Sequence, residues 1–106
     1  MVLKNIFKDI LCRSEEELIE PVSGCEGIRI ERIVSEGHSS PPGFWYDQEK
    51  NEYVLLLSGS AGLLFEGEND ILVMQPGDYI DIPAHKKHRV EWTDPRQHTI
   101  WLTVHY

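Results

Sequence analysis

Gly77-Asp78-Tyr79-Ile80-Asp81-Ile82-Pro83-Ala84-His85-Lys86-Lys87-His88 is a turn, a short strand, a bend, and a histidine entering the next strand. Gln75-Pro76-Gly77-Asp78 supplies a proline that fixes φ and a glycine that tolerates φ > 0, the chemistry of a tight turn. Asp78 to Ile82 reads as a strand, closed by Pro83, which has no N–H to give to a sheet ladder. His88-Arg89-Val90-Glu91-Trp92 then alternates in character. Residues two apart in a strand share a face, so His88, Val90 and Trp92 are expected on one side and Arg89, Glu91 and Thr93 on the other. Because Arg89 and Glu91 favour water, His88 is the inward residue. An imidazole facing into a β structure is a candidate ligand or catalytic group.

Outward from this stretch, the same punctuation recurs. Ile28 to Val34 alternates as a half-buried strand, and Gly37 to Gly43 is a loop by its Ser/Pro/Gly composition. Phe44 to Gln48 begins another extended segment. Glu52 to Leu57 is apolar on both faces, which places it centrally in a sheet. Ser58-Gly59-Ser60 turns into Ala61 to Phe65, Glu66 to Asp70 turns into Ile71 to Met74, and Asp94-Pro95 turns into Thr99 to Val104. Before Gly27, Lys4 to Leu11 reads as an edge strand or arm. Ser14 and Glu17 have the spacing of a capping box, predicting a helix of one or two turns ended by Pro21. The expectation is an all-β protein with one short N-terminal helix: residues 1–26 form an arm with that helix, and residues 27–106 form the β-barrel domain.

The bulk composition narrows the function. A chain of 106 residues is one domain, able to build a core without disulfide staples. A formal charge of −8 argues against nucleic acid or an anionic membrane surface as partner. Cys12 and Cys25 are too few and too far apart for a disulfide scaffold or a CxxC motif. Neither a signal peptide nor a membrane-spanning apolar run is evident, so a reduced, cytoplasmic location is expected.

With the turns in place, the chain resembles the cupins, the small jelly-roll barrel family, from about Gly27 to the C-terminus. The second cupin signature runs glycine, five residues, proline, one residue, glycine, two residues, histidine; Gly77, Pro83 and His88 fall at these places, and His85 stands at the second glycine. The first signature has His-x-His, three or four residues, glutamate, six residues, glycine. Glu52 and Gly59 match it, while the histidine places hold Trp45 and Asp47 at one spacing or Tyr46 and Gln48 at the other. Trp45 to Gln48 before the glutamate and Pro83 to Trp92 after the turn are similar to a subgroup of small bacterial cupins.

The resemblance implies a jelly-roll barrel, a cavity with a metal held by signature residues, and often a homodimer. Carried over by position, Glu52 and His88 are the ligand candidates, with Asp47 or Gln48 replacing a histidine. One imidazole and two carboxylates suit Zn²⁺, Mn²⁺ or Fe²⁺ with open positions for water or substrate. The alternative is that Glu52 and His88 bond each other in a metal-free pocket, since buried polar groups need partners. Trp45, Tyr46 and Trp92 are candidates for an aromatic pocket wall, and His85 for a residue of the cavity rim or a second nitrogen. Lys86, Lys87 and Arg89 form a local basic spot. Two functions follow: a small-molecule-binding cupin using a divalent metal, with isomerase-like or dioxygenase-like chemistry if it is an enzyme, or a metal-free ligand-binding or sensing module. A dimer through the N-terminal arm and Leu55 to Leu57 is compatible with either.

Overall fold

A computed structural model describes residues 1–10 and 15–106. Eight strands make the fold: β1 (Leu18–Cys25), β2 (Ile28–Ser35), β3 (Glu52–Ser58), β4 (Ala61–Phe65), β5 (Leu72–Met74), β6 (Tyr79–Ile82), β7 (His88–Thr93) and β8 (Thr99–His105). They pair antiparallel in a five-stranded sheet, β1-β2-β8-β3-β6, and a three-stranded sheet, β5-β4-β7. The inner faces supply Val54, Leu56, Ala61, Leu63, Phe65, Met74, Ile82 and Trp101 to a single core. β3 lies between β8 and β6, as its two apolar faces predicted. Among the described residues, no helix is long and apolar enough to cross a membrane.

Two turns carry the strand order. Gly77 has a φ of 94°, the left-handed conformation expected of it in the turn before β6. Gly59 (φ 82°) joins β3 to β4, and a Cβ there would lie 2.3 Å from Thr99 Oγ1 and 2.7 Å from Thr99 Cα. β8 therefore packs against bare backbone at Gly59, and no other residue fits. His85, in the place of the signature's second glycine, also has a positive φ of 64°. Its N–H bonds the carbonyl of Gln48 at 2.8 Å and its Nδ1 lies 2.8 Å from Asp47 Oδ1, contacts that hold a histidine in a conformation natural to glycine.

The N-terminal helix is not formed. Ser14 lies outside the described residues, but Glu15 and Glu16 bend and the chain enters β1 at Leu18. Sheet pairing outweighs the capping signal, because Leu18 and Ile19 face Val34 and Ile33 across β2. Pro21 is accommodated at the irregularity between Pro21 and Ser23, on an edge strand where its missing N–H is tolerated. The first strand of the sheet thus lies inside the segment expected as an arm. The arm itself, over its described residues, is pinned by buried Arg32, whose guanidinium donates to the carbonyls of Ile6 (3.1 Å), Lys8 (2.6 Å) and Asp9 (3.3 Å) and pairs with Glu20 at 2.7 Å.

Candidate functional site

Alternation along the strands brings ionisable groups into the barrel. On β3, Glu52, Val54 and Leu56 are buried while Tyr53, Leu55 and Leu57 are half-buried on the other face. On β8, Thr99, Trp101, Thr103 and His105 are buried. The register sets Glu52 opposite His105 and Val54 opposite Thr103, with Glu31 of β2 opposite Thr103 on its other side. His88 enters from β7, paired with Phe65 and bridged through its backbone to Tyr46. The result is a cavity of about 230 Å³ floored by Val54, Leu63, Ile82, Val90 and Trp101. Glu17, Glu31, Gln48, Glu52, His88 and His105 form its polar wall, and the exposed residues Ile19 and Arg29 also line it.

Glu52 is the hub. Its Oε1 lies 3.3 Å from His88 Nε2 and its Oε2 lies 3.8 Å from His105 Nε2, which is in turn 3.4 Å from Glu31 Oε1. The proton on His88 can be located by elimination. Nδ1 lies 2.9 Å from the Lys86 carbonyl, and a carbonyl only accepts, so Nδ1 carries a hydrogen and donates. In a neutral ring Nε2 would then be a bare lone pair facing a carboxylate oxygen, and two acceptors repel. A proton between them resolves the conflict. Burial opposes a charge on His88, but the Glu52 hydrogen bond, the Lys86 carbonyl and the Glu52 charge together outweigh it, and the imidazole pKa is raised above its ordinary value. Tyr46 stacks on the same ring at 5.4 Å and 24°. Its hydroxyl donates to Glu17 Oε1 at 3.3 Å; burial first, then the neighbouring Glu17 and Glu52 carboxylates, push its pKa up to about 12.

The sequence candidates divide. Glu52, His88, Gln48 and Tyr46 line the cavity. Asp47 and His85 do not: they pair with each other at 2.8 Å, both substantially exposed, so Asp47 is spent on holding the His85 bend. Trp45 and Trp92 are also absent from the lining. Arg89 sits 5.9 Å over the Trp45 ring. Trp92 leaves the inner face because the β4–β7 register shifts between Gly62 and Leu63, where Glu91 is an extra residue. The bulge reverses the alternation, burying Thr93 and laying Trp92 over Gly62, where a Cβ would meet Nε1 at 2.3 Å. Arg89 is a clamp, donating to the carbonyls of Ser40, Pro41 and Phe44 and pairing with Glu91.

His105, Glu31, Glu17, Arg29 and Thr103 were not assigned to the site from sequence. Strand alternation puts Trp101, Thr103 and His105 on one face, and the direction of that face depends on how β8 registers against β3.

Among the described residues, no group of three His, Cys, Asp or Glu side chains is arranged to hold a metal ion. Of the expected set, Asp47 turns away to pair with His85, while Gln48, Glu52 and His88 line the same cavity. What the arrangement offers unaided is a carboxylate poised between two ring nitrogens, with a proton to give or take.

No protein-family model matches the chain, and no curated protein matches it. A solved structure from Ralstonia eutropha JMP134, named as a candidate mannose-6-phosphate isomerase, is 46% identical, covers 99% of this chain and 97% of its own, and superposes with a TM-score of 0.95. A cupin superfamily protein from Desulfitobacterium hafniense DCB-2 (20% identity, 91% and 82% coverage, TM-score 0.72) shares the fold. So does an RmlC-like cupin with a double-stranded β-helix from Methanocaldococcus jannaschii (16% identity, 99% and 91% coverage, TM-score 0.70). On fold and on similarity along nearly its whole length, the chain belongs to the cupin superfamily.

Proposed function

We propose that this cupin binds a small polar molecule in its barrel cavity and that Glu52 and His88 form the proton-transfer pair that acts on it. The supporting observation is the 3.3 Å approach of His88 Nε2 to Glu52 Oε1, with the other imidazole nitrogen fixed as a donor to Lys86. A cavity of about 230 Å³ is smaller than the roughly 300–1,000 Å³ of drug-sized sites, so the ligand is small. Buried acid–base pairs with a shifted pKa in a cleft are the usual setting for proton transfer.

A second, narrower reading is sugar isomerisation, favoured by the name of the 46%-identical Ralstonia relative. An aldose–ketose step needs a base to remove the proton from the carbon beside the carbonyl, while an acid protonates the carbonyl oxygen. The base then returns its proton to the former carbonyl carbon, while the enediol's other hydroxyl gives its proton back to the acid group and becomes the new carbonyl. In this reading Glu52 is the base and His88 the acid.

A thermal-shift screen of small hydroxylated compounds, repeated on Glu52→Ala and His88→Ala, tests the binding reading, because a ligand of the native state raises the melting temperature. Stabilisation abolished by both substitutions supports it. Stabilisation that survives both places the ligand elsewhere and defeats it. Metal analysis of protein purified without chelator runs beside the screen: a stoichiometric divalent ion lost on both substitutions would replace the proton-transfer pair with a metal site.

A further inference from the structure

The ledger of donors and acceptors in the cavity says what kind of molecule fits. Resting on the small-molecule reading above, we infer that the cavity selects a small hydroxylated compound carrying a protonated amine, and discriminates against phosphorylated or carboxylated ones.

Several donors around the cavity are already committed. Tyr46 OH donates to Glu17 Oε1, and Ser35 Oγ donates to Glu17 Oε2 at 3.0 Å. Trp101 Nε1 donates to Ser35 Oγ at 3.2 Å, and His88 Nδ1 donates to the Lys86 carbonyl. Arg29 pairs with Glu31 at 3.2 Å. Acceptors are in surplus. Glu17, Glu31 and Glu52 bring three carboxylates, each with about four lone-pair sites, into one lining.

Two buried polar atoms in that lining have no partner at all: the Gln48 side-chain carbonyl oxygen and Thr103 Oγ1. Thr103 is only 1% exposed and lies on β8 between Glu31 and Val54 of the flanking strands. A buried hydroxyl and amide oxygen left unpaired are destabilising unless something bonds them. The amide oxygen needs a donor from the occupant, while the hydroxyl can accept or donate.

Charge points the same way. Against three carboxylates the lining sets one permanent cation, Arg29 at its exposed end, and two titratable imidazoles, His88 and His105. The acidic groups outnumber the permanent cation. A phosphate could take hydrogen bonds from the Thr103 hydroxyl and the outward N–H groups of Arg29, but it would face the three carboxylates of the same lining. An ammonium with neighbouring hydroxyls satisfies the carboxylates, Gln48 and Thr103 together.

Calorimetric titration of the intact chain with glucosamine, mannose and mannose 6-phosphate near pH 6.5 tests this. The expected order is glucosamine tighter than mannose by about tenfold or more, with mannose 6-phosphate weakest. Thr103→Val is nearly isosteric and removes an unpaired hydroxyl, so it should keep or raise the melting temperature while weakening glucosamine several-fold. Mannose 6-phosphate binding tightest, with binding lost in His88→Ala, would overturn the charge preference and leave the cavity reading standing. Equal affinity for glucosamine and mannose overturns the ammonium element. No heat from any of the three overturns the inference, and if the wider thermal-shift screen is also blank the cavity reading falls with it.

Discussion

Replacing Glu52 by glutamine keeps the shape of the hub and removes its charge, and the cost should depend on pH in a defined direction. At 3.3 Å and an effective dielectric near 20, a full His88⁺–Glu52⁻ attraction is about 5 kcal/mol before desolvation. Both residues are buried, at 5% and 7% exposure, so desolvation removes much of that. The net expected is about 1.5–3 kcal/mol, the range of a charge-assisted hydrogen bond. The His88 pKa is raised in the folded protein, against an unfolded value near 6.5. A raised pKa contributes stability that is fully present below the unfolded value and is lost as pH rises through the folded one. Glu52→Gln should therefore cost most below the unfolded value of about 6.5 and progressively less as pH rises through the raised folded-state value of His88. Urea unfolding of both proteins across that range measures this, the midpoint difference shrinking with pH at constant m. A cost that is flat with pH, or that grows as pH rises, would refute the placement of the proton between His88 and Glu52.

Three further outcomes follow from the packing. Gly59→Ala should destabilise by more than about 2 kcal/mol in the same assay, because its Cβ falls 2.3 Å from Thr99 Oγ1 at a φ of 82°. His85→Gly should be neutral or stabilising by up to about 1 kcal/mol: it relieves a left-handed histidine and loses an exposed pair with Asp47 worth about 0–1 kcal/mol. Ligand binding should be unchanged in that variant, since His85 does not line the cavity. Arg32→Ala should cost about 2–4 kcal/mol and speed hydrogen exchange in the arm, because one buried guanidinium holds the carbonyls of Ile6, Lys8 and Asp9.

Local chemistry explains what was legible in the sequence. Gly77 and Pro83 carry backbone constraints of their own, so the turn and the β6 strand were readable residue by residue. Glu52 and His88 were readable because position in two signatures and facing in a strand agreed. Trp92 was misplaced because the bulge at Glu91 is a property of the pairing between β4 and β7, invisible in β7 alone. His105 could be put on a face but not inside or outside, because that depends on its register opposite Glu52. The capping signal at Ser14 and Glu17 was a sound local inference that lost to a non-local one: Ile19 pairs with Ile33, and Glu17 bonds Ser35 and Tyr46. Glu17 thus joins the site from a segment that looked like a detached arm.

The site's centre of gravity is the carboxylate shared by two imidazoles, and the five histidines of the chain provide the probe. Ring resonances of all five, followed by NMR as glucosamine is added, report where a ligand sits. The account predicts saturable shifts at His88 and His105, with His38, His85 and His98 unmoved. Shifts confined to His85 or His98, or none at His88 and His105 while glucosamine binds, would contradict it.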